Sequence, residues 1–168
     1  MKLNIKEIAV LSLLGAVLFC SKVITEVLPN IHILAPLIIA YTVVFRQKAL
    51  YSILVFIILT GVFYGFGLWL IPYFYLWPLL WAIIMLLPKN MAKKTAVLTY
   101  MIVAGLHGFL YGTLYAPFQA LAFGLNFEGT IAWIIAGLPW DAIHGVGNIL
   151  VSTLTLPIIT AIKKAIKQ

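Results

Sequence analysis

The sequence predicts an all-α integral membrane protein of six transmembrane helices, with N- and C-termini cytoplasmic. Three observations predict it. Hydrophobic residues make up 64% of the 168-residue chain and charged residues only 9%, against about 25% charged in ordinary soluble domains. Prolines, glycines and lysines divide the apolar sequence into six runs. Finally, in a six-span arrangement the basic residues gather on one side. Six spans in this length leave almost no soluble mass, so residues 1–168 read as one domain, and any ATPase or catalytic domain would belong to another chain. No tandem repeat or low-complexity linker is visible. The single cysteine, Cys20, lies inside an apolar run, which excludes an internal disulfide and a thiol-ligand cluster.

Span one is expected from about Glu7 to Val27, after Lys2 and Lys6. It lacks a clear small-x-small cleavage site and reads as a retained helix rather than a signal peptide. Ser12, Ala16 and Cys20 recur at i, i+4 and i+8, a smooth stripe against which a second helix can lie closely. That helix belongs either to this chain or to a partner subunit. Leu28-Pro29-Asn30 then breaks the helix, because proline disfavours the helical conformation in the residue before it. Span two, Ile31 to Phe45, is short, contains Pro36 and closes on Arg46-Gln47-Lys48.

Span three runs from Ala49 to about Leu68. An aromatic cluster follows, Trp69, Tyr73, Phe74, Tyr75 and Trp77, interrupted by Pro72 and Pro78. It serves as an interfacial belt, where amphipathic rings prefer the headgroup level, or as a stacking wall for a flat ligand. Span four, about Phe74 to Leu87, ends at Pro88-Lys89-Asn90-Met91-Ala92-Lys93-Lys94. Span five, Thr95 to about Ala116, carries His107 near its middle and is expected to stop at Pro117. Span six, Thr130 to about Ile162, is long, with Pro139 and Pro157 to bend or tilt it, and finishes with Lys163, Lys164 and Lys167.

Ten of the eleven basic residues fall on one side of this arrangement; Lys22 is the exception. The loops around Pro29, Trp69 and Asn126 carry neither lysine nor arginine. By the positive-inside rule the basic side is cytoplasmic. The net charge of +7 is thus topological: it argues against nucleic acid as a partner and is compatible with attraction to anionic lipid.

Asp141, His144 and Asn148 stand at i, i+3 and i+7 in span six, so a helix puts all three on one face. Ionisable groups in an apolar span are costly and usually functional. At about 1.5 Å of rise per residue, Asp141 and His107 are expected near one level. An Asp–His pair between the two spans would lower the cost of ionising each. Such a group acts as a polar clasp between helices, as a ligand contact or, with less support, in a proton relay. His32 is expected at the outer mouth, too far from His107, His144 and Asp141 to complete a metal site, and no H-x-x-x-H spacing occurs. Serines 12, 21, 52 and 152 lack a glycine-rich nucleophile context, and no phosphate-binding glycine loop provides an ATP site. The outer mouth gathers Asn30, His32, Trp69, Tyr73, Tyr75, Trp77, Gln119, Asn126, Glu128 and Trp133. Apolar walls with a few placed polar groups suit a small-molecule site.

Taken together, these features resemble the substrate-binding S component of energy-coupling factor (ECF) vitamin transporters, across essentially the whole chain. The resemblance rests on about 170 residues in six spans with both ends inside, and on the stripe Ser12, Ala16, Cys20. It rests also on Leu28-Pro29-Asn30, on Tyr64-Gly65-Phe66-Gly67-Leu68-Trp69, and on Gly137-Leu138-Pro139-Trp140-Asp141 with His144 and Asn148. The usual alanine-rich stripe is here mixed Ser/Ala/Cys. The resemblance implies high-affinity binding of a vitamin or vitamin precursor outside a prokaryotic plasma membrane. It also implies docking through span one on a transmembrane coupling subunit driven by two ATPase subunits, so that this chain hydrolyses no ATP and needs no cofactor. Carried over by position, Trp69, Tyr73, Tyr75, Trp77, His107, Asn126, Asp141 and His144 are the expected ligand contacts, and Ser12, Ala16 and Cys20 the docking face. Two other readings stand beside it. One is a small intramembrane enzyme acting on a lipidic substrate through Asp141, His144 and His107; the other is a self-contained transporter.

Overall fold

A computed structural model describes residues 3–28 and 30–166, and every regular element among them is helical. Lys2, Lys167 and the helix-breaking Pro29 lie outside the described residues. The elements are α1 (Ile5–Thr25), α2 (Leu34–Phe45), α3 (Ala49–Tyr64), α4 (Tyr73–Leu86), α5 (Lys93–Phe109), α6 (Tyr111–Phe123), α7 (Phe127–Val151) and α8 (Thr155–Ala165). Short 3-10 turns at Arg46–Lys48, Leu68–Leu70 and Ser152–Leu154 link some of them. By length and composition, five stretches are long and apolar enough to cross a membrane: Ile5–Thr25, Leu34–Tyr64, Leu68–Leu86, Lys93–Phe123 and Phe127–Ala165. The second of these is broken at Arg46 (φ 54°, ψ −124°), between α2 and α3.

Local chemistry explains the boundaries. Asn4 accepts the backbone N–H of Glu7 at 2.8 Å, and the Glu7 carboxylate accepts that of Asn4 at 3.1 Å. This reciprocal capping box starts α1 by satisfying two donors that the first turn leaves free. Asn126 starts α7 in a similar way, accepting from Gly129 N–H at 2.8 Å. Gly124, in the left-handed region at φ 66°, closes α6.

The helix interruption in the fifth span is not where the sequence suggests. Pro117 lies inside α6, and the helix runs six residues beyond it to Phe123; a lost N–H removes one rung of the ladder without stopping the helix. The break instead falls at Leu110, between α5 and α6, and has a tertiary cause described below.

Side-chain pairs fix the helix directions. Lys48 with Glu7, Ser52 with Leu11 O (2.8 Å), Phe19 with Phe63 (5.4 Å between centroids) and Tyr64 with Glu26 (2.6 Å) follow one another in register, so α1 and α3 run parallel. Gly15 allows their close approach, since a Cβ there would stand 2.7 Å from Val55 Cβ and 2.8 Å from Ser52 O. Gly61 against Leu70 and Phe56 against Trp77 make α3 and α4 antiparallel. Asn148 with Ala104 O, Gly145 with Gly108 and Asp141 with Gly112 make α7 antiparallel to α5 and α6. Small residues at these crossings let the backbones meet.

At the centre stands α2, buried at every position from Leu34 to Thr42 and touching α1, α3, α4, α5, α7 and α8. Its residues form the core with Phe56, Leu80, Ile84, Ala104 and Ile159. The helix directions place Lys6, Arg46, Lys48, Lys89, Lys93, Lys94, Lys163 and Lys164 at one end of the bundle. Lys22 lies at the other, with Tyr64, Trp69, Tyr73 and Asn126.

Candidate functional site

The end carrying the aromatic residues holds two adjoining cavities. The first, about 230 Å³, lies below the α1–α2 loop and is lined by Lys22, Glu26, Asn30, His32, Tyr73, Trp77, Tyr111 and His144, among others. The second, about 320 Å³ and more open, is lined by Tyr115, Trp133, Trp140 and Asp141. Asn30, Tyr111 and His144 border both.

The back of the first cavity is a closed circuit of rings. His32 to Trp77 (6.2 Å between centroids), Trp77 to His107 (5.5 Å), His107 to Tyr111 (5.9 Å), Tyr111 to His144 (5.1 Å) and His144 to His32 (4.8 Å) complete it. All three histidines of the chain therefore meet at one place. Loop residue His32 is not stranded at the mouth, as its position in the sequence suggests; the α1–α2 loop folds inward and lays it against His144. Even so, among the described residues no three His, Cys, Asp or Glu side chains converge to hold a metal.

Four of these rings carry a buried nitrogen without a hydrogen-bond partner: His32 Nδ1, Trp77 Nε1, His107 Nδ1 and His144 Nε2. His107 has its other nitrogen 3.1 Å from Leu76 O; a carbonyl only accepts, so Nε2 carries the hydrogen and Nδ1 is left as an acceptor. A buried polar group without a partner costs stability, and native interiors rarely leave several together. At the rim, Lys22 pairs with Glu26 (3.7 Å) and lies over the Tyr64 ring (3.9 Å), while Glu26 also accepts the Tyr64 hydroxyl.

Asp141 corrects an expectation. It pairs with neither His107 nor His144; both its oxygens accept the backbone N–H of Gly112 at 3.0 Å. The reason is register: α5 and α7 cross with Gly108 against Gly145 and Asn148, so His107 sits about a turn away from Asp141's level. Gly112 is in the first turn of α6, where backbone donors lack helical partners, and a carboxylate there also suits the helix dipole. Asp141 is thus a cap supplied by α7 across the helix interface, and it stabilises the break at Leu110. Asn148, fully buried, donates to Ala104 O at 3.1 Å and clasps α7 to α5.

The other expected contacts divide. Tyr73, Trp77 and His144 line the first cavity, and Asp141 and His144 the second; His107 stands behind Trp77. Trp69 packs on Tyr73 and Tyr64, with its carbonyl accepting the Tyr115 hydroxyl. Tyr75 is exposed and donates to Leu114 O at 3.1 Å, a brace between α4 and α6. Asn126 is occupied as the cap of α7. In the stripe on α1, Ser12 donates to the Tyr51 hydroxyl at 3.5 Å, Ala16 is half-buried and Cys20 is exposed. Tyr111 and the Lys22–Glu26 rim are site residues that the sequence reading did not single out. For the rim, the i,i+4 opposite charges at the end of span one were the available signal.

Compared with protein-family models, curated proteins and solved structures, the chain shows no significant match.

Proposed function

We propose that this chain is the S component of an ATP-driven ECF transporter, binding a vitamin or vitamin precursor outside a prokaryotic cell. The observation that carries the reading is the first cavity: a ring-walled space whose lining residues His32, Trp77 and His144 each carry a buried nitrogen without a hydrogen-bond partner. A flat heterocycle with donors and acceptors on its edge supplies what those atoms lack, and the surrounding rings offer faces to stack on. Three neutral-capable nitrogens with one rim ion pair favour a ligand with little net charge in its buried part.

The alternating helix directions support six membrane passes, counting α5–α6 and α7–α8 as one pass each. The gathering of lysine and arginine at the end opposite the cavity supports cytoplasmic termini and a mouth facing outward. In this reading the α1 stripe of Ser12, Ala16 and Cys20 meets a transmembrane coupling subunit. Two ATPase subunits supply the energy, and the chain performs no chemistry. The enzyme reading through Asp141, His144 and His107 is the weaker one, because the Asp141 carboxylate is already spent on Gly112 N–H.

The experiment is native mass spectrometry of the detergent-purified chain from cells grown in rich medium, followed by denaturing release of bound small molecules. One organic ligand near one equivalent is the expected result and names the substrate. Retention of a metal alone, or turnover of a lipidic substrate lost on His144→Ala substitution, overturns the reading.

A further inference from the structure

At the end opposite the cavities, two clefts share Arg46 and Lys89. One, of about 180 Å³, has apolar walls that include Val43, Ile84 and Leu87. The other, of about 320 Å³, passes Lys48 and Met85. Arg46 is held in place by contacts from α4 on two sides: its guanidinium donates to Met85 O at 2.8 Å, and its carbonyl accepts Trp81 Nε1–H at 3.1 Å. Its backbone is in the left-handed region (φ 54°), where the chain turns from α2 into α3, so its position is set by the fold. Lys48 is neutralised by Glu7. Among the described residues, Arg46 and Lys89 make no ion pair with a carboxylate.

We propose that these clefts bind one phospholipid with an anionic headgroup. Its phosphate lies between Arg46 and Lys89, and one acyl chain lies along the apolar cleft. A guanidinium has five N–H donors in a fork that matches phosphate oxygens, and Met85 O occupies one of its nitrogens. The adjoining apolar cleft favours a lipid over an acidic peptide, since a carboxylate side chain brings no long apolar chain to fill it. The cluster of basic residues at this end raises the local concentration of anionic lipid. This inference does not depend on the transport reading.

The test is native mass spectrometry of the full chain in detergent with equimolar dioleoylphosphatidylglycerol and dioleoylphosphatidylcholine. Phosphatidylglycerol should be retained at least about fivefold over phosphatidylcholine, since each of the two cations contributes about fivefold at most. Arg46→Gln with Lys89→Gln should bring that ratio to about one, and Lys89→Gln alone, at an exposed loop position, should lower it without disturbing the helices. Lys163→Gln with Lys164→Gln should leave it unchanged. Equal retention of the two lipids overturns the proposal, as does equal loss in the Lys163/Lys164 variant, which would mark diffuse attraction. Displacement by inorganic phosphate at the concentration at which the lipid acts overturns the acyl-chain half. Unchanged lipid preference in the Arg46/Lys89 variant, with loss of co-purifying subunits, assigns the clefts to an acidic protein surface instead.

Discussion

The carboxylate of Asp141 on α7 holds the backbone N–H of Gly112 on α6 with both of its oxygens, at 3.0 Å. One side chain thus satisfies a free helix donor and fixes where α5 gives way to α6, beside Tyr111, which borders both cavities. Asp141→Ala should cost about 1–3 kcal/mol through the lost cap and the part-buried donor left without a partner, read as a lower melting temperature in detergent. Gly112→Ala should cost a similar amount, because its Cβ would lie 2.6 Å from Asp141 Oδ2. A melting temperature unchanged in both variants would show that the contact contributes nothing.

The unpartnered nitrogens make a contrary prediction. His144 is 4% exposed and its Nε2 has no partner, so His144→Leu should leave the empty protein equally stable or more so. The same change should weaken ligand retention about tenfold or more, the cost of one lost buried hydrogen bond. Loss of stability with unchanged retention would mean that His144 supports the fold and not the ligand.

Acid should act through His32, which lies outside the helices. Burial lowers its imidazole from 6.5 to about 4. Between those values the unfolded chain takes up a proton that the folded chain refuses. Its contribution to stability is therefore complete above about 6.5 and is lost as pH falls towards about 4. Melting temperatures at about pH 7.5 and about pH 4.5 should fall further apart in the wild type than in His32→Leu; equal falls would clear His32.

Gly15 sits where α1 lies closest to α3. Gly15→Ala would place Cβ within 2.8 Å of the Ser52 carbonyl, an overpacking cost of about 1–3 kcal/mol. Thermal unfolding measures it, and a neutral result would mean that α1 slides freely on α3.

Docking is tested further along the same helix. Cys20 is exposed, so if the chain is the transporter subunit proposed above, Cys20→Trp should leave ligand retention by the purified chain intact while abolishing uptake by cells that contain the proposed ATPase subunits. Uptake at the wild-type rate would remove this face from the interface.

The helical class and the rough extent of the apolar runs were legible, because hydropathy acts locally; the caps at Asn4 and Asn126 went unread although each needs only a neighbour three residues on, and the interruption between α7 and α8 was missed. What escaped depends on register between distant segments. The break at Leu110 is stabilised by Asp141, 31 positions later, and its absence at Pro117 reflects how little one missing rung matters in a packed helix. His32 looked peripheral because nothing in the sequence states how a loop folds back. Tyr111 looked like one aromatic residue among many until its neighbours on α4, α5 and α7 were in place.

The central helix α2 is only twelve residues long, about 18 Å by helical rise, against a hydrocarbon layer of about 30 Å. Of the helices that touch it, α1 and α7 have 21 and 25 residues, so the pillar stops short of them and His32 fills part of the gap before Leu34. The cavity is, in effect, the segment of helix that α2 does not have. In the reading proposed above a guest takes the place of that missing turn, and an inserted helical turn before Leu34 would occupy the same volume permanently.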